Sequence, residues 1–158
     1  MAKPRFTHVN EDRVQMVDIS GKDDVTREAV AEGRIYLREA TIREIRKGAL
    51  LKGNVLATAR VAAVLAVKET PRIIPLCHPI PLSGIEVEFS DGEGFILATV
   101  NVRSRGPTGV EMEALTGVSV ALLTIWDMVK SAEKDPAGQY PETGIEGIRV
   151  LSKKKGTE

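Results

Sequence analysis

The sequence predicts one α+β domain in which two helices pack on one face of an antiparallel sheet. Apolar and polar residues alternate in several short segments, as they do in strands with one buried face. Two longer segments repeat their apolar residues at helical spacing. The 158 residues suffice for one domain with a core and are too few for two.

The first segments of the chain predict an arm, a strand and a short helix. Residues 1–27 are polar and mixed in charge, and we expect an N-terminal arm that is ordered only where it docks. Apolar residues alternate over 29–37, which predicts a half-buried strand. A short helix over 42–47 should begin at a capping box led by Thr41 and end at Gly48.

A second helix and a stiff loop follow. Asn54 is placed to cap a helix that runs to about Glu69 and that Pro71 should close. The helix is rich in alanine, so another backbone can approach it closely. Three prolines fall within residues 73–82, which leaves too few backbone donors for a helix or a central strand. We therefore expect an extended, apolar loop there.

The second half of the chain supplies two strands, the longest helix and a last strand. Alternation over 85–90 and 95–103 around a glycine turn predicts a hairpin. A capping box led by Thr108 should start a helix that reaches about Lys134. A proline- and glycine-rich loop then leads to a strand over 145–151.

With the short helix set aside, the element order is β-α-β-β-α-β, which is the ferredoxin-like arrangement. We predict a catalytic domain of this fold over residues 28–152, followed by a polar C-terminal tail over 153–158. Many functions occur on this fold, so it does not identify one.

Composition excludes several classes of protein. The formal net charge is +0, which argues against a protein that coats nucleic acid or lies on an anionic membrane. Lysine or arginine is expected to interrupt every apolar run before it reaches membrane-spanning length. The N-terminus lacks the apolar middle of a signal peptide, and the single cysteine excludes an internal disulfide. We therefore expect a cytoplasmic protein.

Polar residues in rigid surroundings are the candidate functional groups. His78 lies in the proline-stiffened loop, which suits either a proton carrier or a histidine that only hydrogen-bonds a backbone carbonyl. Its neighbour Cys77 points to the opposite side of an extended chain, so it is expected to be a small buried residue rather than a nucleophile. Lys52 precedes a helix start and could form an anion site with free backbone N–H groups.

The longest helix carries two further candidates. Glu111 and Glu113 lie in its first turn, where carboxylates complement the helix dipole. Asp127 and Lys130 share a face farther along, as a solvated ion pair or as a proton-exchanging pair. Because Glu113 and Asp127 are 14 positions apart, about 21 Å of helix separates them. A site that uses both requires a helix break near Gly117 or a second chain, and we favour an interface.

Five segments together resemble the molybdenum cofactor biosynthesis protein C family, the cyclic pyranopterin monophosphate synthases. They occur in order over nearly the whole chain, and the combination of LCHP, GVEMEALT and DM-K is distinctive. The segments are MVDIS at 16–20, KGNVLATARVAA at 52–63, IPLCHPIPL at 74–82, TGVEMEALTGVSVALLTIWDMVK at 108–130 and RVLSKKKG at 149–156.

The resemblance implies an enzyme with defined substrate and assembly. The implied subunit is ferredoxin-like and forms a homohexamer, a trimer of dimers, with active sites between subunits. The implied reaction converts 3′,8-cyclo-7,8-dihydro-GTP to cyclic pyranopterin monophosphate and pyrophosphate, which makes the enzyme a lyase. No cofactor is required, no residue cluster indicates a metal site, and Mg²⁺ could assist pyrophosphate departure.

The resemblance also implies residue roles. We expect Asp127 and Lys130 to transfer protons, with Lys52 as their electrostatic partner or as an acid. The expected substrate-binding residues are Leu76, Cys77, His78, Glu111, Met112, Glu113, Lys153, Asp18, Arg27 and Arg60.

Two other functions compete with this one. An RNA-binding module of the same fold needs exposed aromatics and a basic face, but aromatic residues are only 4% of the chain and Glu86 and Glu88 are acidic. A non-catalytic ligand-binding or assembly subunit is the alternative that remains, and loss of turnover in a folded Lys130 variant would count against it.

Overall fold

Nine helices and strands make up the part of the chain that is described, which comprises residues 9–10, 13–48 and 53–156 of a computed structural model. In chain order they are β1 (Val9–Asn10), β2 (Arg13–Val14), β3 (Val25–Tyr36), α1 (Glu39–Lys47), α2 (Val55–Ile73), β4 (Leu82–Gly92), β5 (Phe95–Gly106), α3 (Glu111–Glu133) and β6 (Gly144–Lys155). Lys52 lies outside the described residues.

The main sheet confirms the predicted ferredoxin-like fold. Its strand order is β4-β5-β3-β6, and all neighbouring strands are antiparallel. The hairpin between β4 and β5 turns at Gly94, whose φ of 75° a glycine adopts without strain. Two residues each from β1 and β2 form a separate small sheet within the N-terminal arm.

The core lies between the sheet and the pair α2 and α3. The face of β3 predicted to be apolar is buried, with Ala29, Ala31 and Ile35 fully enclosed. Small residues bring the helices together: Ala59 and Ala63 of α2 are fully buried, and a Cβ added to Gly117 of α3 would lie 2.7 Å from the Val67 side chain. The alanine-rich helix is therefore packed closely against a neighbour, as predicted.

Gly33 of β3 is a second position where only a hydrogen atom fits. A Cβ there would lie 2.8 Å from Val118 and 2.9 Å from both Leu122 and Ile148. We expect Gly33→Ala to reduce the free energy of unfolding by about 1–3 kcal/mol, because overpacking forces neighbours to shift. Urea unfolding monitored by circular dichroism would measure this change. The same substitution at Gly21, with open space around it, is the control, and equal stability of both variants would contradict the prediction.

The central strand and the last strand are longer than predicted. β3 begins at Val25, inside the predicted arm, and β6 continues to Lys155, inside the predicted polar tail. The extra residues pair with each other, since Arg27 lies opposite Lys155 and Glu28 opposite Lys154. These strand ends could not be predicted from alternation because their residues are polar. Backbone pairing holds them, and an ion pair between Lys154 and Glu28 adds to it.

Helix ends also differ from their predictions. α1 begins at Glu39 instead of after Thr41, and α3 has no side-chain cap from Thr108. α2 continues through Pro71 to Ile73, since a proline in the last turn removes only one backbone hydrogen bond. The Asn54 cap and the Gly48 end are confirmed, with the Asn54 side chain accepting from the Ala57 N–H at 2.9 Å.

α3 corrects one expectation about apolar runs. By length and composition it could cross a membrane, so charged residues do not interrupt every such run. Its apolar composition has a cause in the fold: Ala114, Val118, Leu122 and Ile125 are fully buried in the domain core.

Candidate active site

A cavity of about 430 Å³ opens where three segments meet. The arm, the proline-rich loop and the start of α3 each supply one wall. The lining residues are Val17, Ile19, Lys22, Leu76, Cys77, His78, Thr108, Gly109, Glu111, Met112 and Glu113. Six of the residues proposed from the family resemblance therefore share one cavity.

The proline-rich loop presents Leu76, Cys77 and His78 to this cavity. The Cys77 N–H donates to the Ile74 carbonyl at 3.1 Å, which fixes the loop just after α2. Burial, and then the nearby Glu113 carboxyl, raises the pKa of the Cys77 thiol. Such a thiol stays protonated. Cys77 is only partly buried and lines the same cavity as His78, which corrects the expectation of a small buried residue on the opposite side of the chain.

Glu111 and Glu113 line the same cavity in opposite electrostatic environments. Glu113 is only 3% exposed, and this burial raises its pKa. A hydrogen bond from its own backbone N–H acts in the opposite direction, and the charge of Glu111 raises the pKa further. Burial also opposes the ionisation of Glu111, but a hydrogen bond from Lys153 at 2.8 Å and the charges of Lys153 and Arg27 outweigh it, so its pKa is lowered. The environment therefore favours the protonated form of Glu113 and the ionised form of Glu111.

A basic groove of about 250 Å³ adjoins the cavity and shares Gly109 and Glu111 with it. Arg27 of the groove also fixes the loop before α3, because its guanidinium donates to the carbonyls of Gly106 and Pro107 at 3.2 and 3.1 Å. The residues that line the groove are Arg27, Glu28, Gly109, Glu111, Lys153, Lys154 and Lys155. Two of the four cations pair with carboxylates of the groove, Lys153 with Glu111 and Lys154 with Glu28, so the cations exceed the carboxylates by two. This excess of positive charge suits an anion.

Asp127 and Lys130 lie far from the cavity and from the groove of the same chain. Their side chains are exposed and form an ion pair at 2.6 Å. The hydrogen bond to Asp127 raises the pKa of Lys130. Because α3 is continuous from Glu111 to Glu133, the alternative of a helix break near Gly117 is wrong. About 21 Å of helix separates this pair from Glu113.

Two other candidate residues contact neither cavity directly. The Asp18 carboxylate accepts from the Ser20 N–H at 2.9 Å, which lowers its pKa, and it lies between the lining residues Val17 and Ile19. Arg60 joins α2 to β4, since its Nε donates to the Val87 carbonyl at 3.1 Å and its guanidinium lies 5.6 Å from the centre of the Phe89 ring.

Sequence reasoning missed several residues of the site. Lys22 lines the cavity from the arm, and Lys154 and Lys155 line the groove beside Lys153. The signal for Lys22 was its place two residues after the segment MVDIS at 16–20. The signal for the two lysines was their run, which was interpreted as a solvated tail.

Comparisons with known proteins agree with the resemblance found in the sequence. The model of the MoaC family matches residues 16–156. The chain belongs to this family. Every residue that lines the cavity or the groove falls within the part that matches the MoaC family.

Relatives of high identity cover nearly the whole chain. A MoaC relative from Methanoregula boonei, named probable cyclic pyranopterin monophosphate synthase, is 72% identical, over 96% of this chain and 97% of its own length. Proteins with the same name from Methanosphaerula palustris and Pyrococcus abyssi are 67% and 62% identical, over 97% and 96% of this chain and 99% and 95% of their own lengths.

Proposed function

We propose that this protein is a cyclic pyranopterin monophosphate synthase of molybdenum cofactor biosynthesis. It converts 3′,8-cyclo-7,8-dihydro-GTP to cyclic pyranopterin monophosphate and releases pyrophosphate, as a phosphorus–oxygen lyase. The observation that carries the proposal is the cavity with its paired glutamates, joined to a basic groove, in a chain of the MoaC family.

The two adjoining spaces suit the two ends of this substrate. A triphosphate carries about four negative charges near neutral pH, and the groove offers Arg27 and three lysines. The ring system then occupies the cavity between His78 and Glu113. Closure of the cyclic phosphate needs attack of a ribose-derived hydroxyl on the α-phosphorus, with pyrophosphate leaving against the fixed positive charge of the groove.

Asp127 and Lys130 enter the proposed site from a second subunit. The pair is too far from Glu113 along α3 to reach the cavity of its own chain. We propose a homohexamer, a trimer of dimers, in which each active site combines the cavity of one subunit with Asp127 and Lys130 of its neighbour. Lys52 is proposed to complete the proton-transfer group.

The proposed enzyme works in the cytoplasm on a small molecule, with neither nucleic acid nor a membrane as partner. It requires no resident cofactor, and Mg²⁺ is proposed to act only as a counterion of the departing pyrophosphate. Among the described residues, no group of three or more His, Cys, Asp or Glu is arranged to hold a metal ion. Addition of a chelator is therefore expected to slow pyrophosphate release and to leave the fold intact.

The reaction is tested by supplying the protein with the cyclised GTP substrate and following pyrophosphate and pterin together. We expect both products to appear at the same enzyme-dependent rate. If a folded oligomer binds the verified substrate and releases neither product, the protein is a ligand-binding or assembly subunit instead.

Lys153 provides a test of the groove. Replacing Lys153 with alanine should raise KM about 10- to 100-fold, because one charge-assisted hydrogen bond to phosphate is worth about 1.5–3 kcal/mol. Steady-state pyrophosphate release measures the change. Lys47→Ala on α1, where the lysine pairs with Glu44, is the matched control. An unchanged KM for the Lys153 variant would place the phosphate chain elsewhere.

A further inference from the structure

The two glutamates at the start of α3 differ in more than exposure. The Glu111 side chain is 27% exposed and contacts Lys153 at the boundary between the cavity and the groove. Gly109 makes room for it, because a Cβ at that position would overlap the Glu111 carboxylate. Glu111 is thus fixed as the ionic partner of a lysine.

Glu113 faces the opposite environment. It lines the main cavity and also a smaller, mostly apolar cavity of about 70 Å³. The other residues that line the smaller cavity are Val67, Lys68, Pro71, Pro79, Ile80 and Leu82. Among the described residues, no lysine, arginine or histidine forms an ion pair with its carboxyl. A carboxyl group that is buried among apolar side chains and lacks a cation favours its neutral form.

We propose that Glu113 enters the reaction as a neutral carboxylic acid and donates its proton to the substrate, while Glu111 remains the carboxylate that holds Lys153. This inference rests on the proposed function, and it deepens it by assigning the acid of the site. When their environments separate the pKa values of two neighbouring carboxyl groups, one typically acts as the acid and the other stays ionised.

The groups around Glu113 are consistent with this assignment. His78 and Cys77 face the cavity from the loop, Lys22 faces it from the arm, and Lys68 lies at the smaller cavity. Glu111 is the nearest carboxylate on its own helix, and its charge raises the pKa of Glu113 further. A cation in contact with Glu113 would reverse the effect, and Lys22 and Lys68 form no such pair among the described residues.

The proton has a defined use in the first stage of the proposed reaction. In the 7,8-dihydropurine ring, C8 is bonded to two nitrogens. When one C–N bond breaks, its electron pair moves to the departing nitrogen, and the lone pair of the other nitrogen forms a C=N⁺ bond. The departing nitrogen takes the proton from the Glu113 oxygen, and the resulting carboxylate later regains a proton from water.

Infrared spectroscopy of the substrate-free protein tests the protonation state directly. Ordinary glutamates ionise near pH 4.3, so a carboxylic-acid C=O band that persists clearly above that pH marks an unusual group. We expect this band in the wild type and in Glu111→Gln, and its loss in Glu113→Gln, which preserves the size of the side chain. A wild type without the band, or a band that Glu113→Gln leaves unchanged, would overturn the proposal.

The pH profile of kcat/KM links this group to turnover. Because an acid catalyst is lost when it ionises, activity should fall on the alkaline side as pH rises through the raised pKa of Glu113. Glu113→Asp keeps a carboxyl group but places it one methylene closer to the backbone, so the pH at which kcat/KM falls should shift. Glu113→Gln should lower kcat about 10²-fold or more. No shift in Glu113→Asp would show that another group is the acid. A protein that shows the infrared band but no product formation would refute the proposed function and not the protonation of Glu113.

Discussion

Replacing Lys130 with alanine is expected to reduce kcat about 10²- to 10⁴-fold and to leave a folded oligomer. This is the range that a positioned proton-transfer group contributes. Lys130 is exposed on α3 and pairs with Asp127 one turn away, so its loss removes little packing. Product formation and light scattering on the same sample measure both parts of the expectation. Lys134→Ala, four residues farther on, is the matched control and should keep its turnover.

Mixing two inactive variants separates a shared site from a site within one chain. Glu113→Gln removes a group of the cavity, and Lys130→Ala removes a group of the distant pair. If the site joins two chains, a mixed oligomer contains some sites that are intact, so activity should return after the two variants are unfolded and refolded together. Failure to recover activity in verified mixed oligomers would contradict the shared site. A Lys130 variant that no longer folds or assembles would contradict its chemical role.

The fold could be predicted because its elements carry their own patterns. Alternation marked β3 and β5, and helical spacing marked α2 and α3, since each has one face in the core. The ends of β3 and β6 could not be predicted in this way. Arg27 and Lys155 lie in polar segments that show no alternation. They pair because the rest of the sheet sets the register of β3 and β6.

The site was predicted in part, for a similar reason. His78 was singled out because it lies in a proline-rich loop, and Glu113 because it lies at the start of a long apolar helix. Both line the cavity. Lys22 and Lys154 are ordinary charged residues until the fold brings the arm and β6 beside α3. The distance between Asp127 and Glu113 was predicted from their spacing of 14 residues, and the unbroken α3 confirms it at about 21 Å.

Glu133 at the end of α3 was not singled out from the sequence, although it is a fully buried carboxyl group. Thr41, which was predicted to lead the capping box, instead lies inside α1 and donates its hydroxyl to Glu133. The Glu133 carboxylate accepts a short hydrogen bond from the Thr41 hydroxyl, one from the Thr143 hydroxyl at 2.6 Å, and one from the Arg38 N–H at 3.2 Å. The side chain thereby connects the start of α1, the end of α3 and the loop before β6.

We expect Glu133→Ala to reduce the free energy of unfolding by about 3–5 kcal/mol, because it leaves two hydroxyls and a backbone N–H without their acceptor and creates a cavity. Glu133→Gln should cost less, since it keeps the volume and one acceptor oxygen. Urea unfolding of all variants at the same protein concentration compares them under equal conditions of assembly. Glu142→Ala is the matched control, because that glutamate pairs with the same Arg38 but is 62% exposed, and it should lose less than about 1 kcal/mol. Equal losses in the Glu133 and Glu142 variants would mean that the three elements are held together by packing alone.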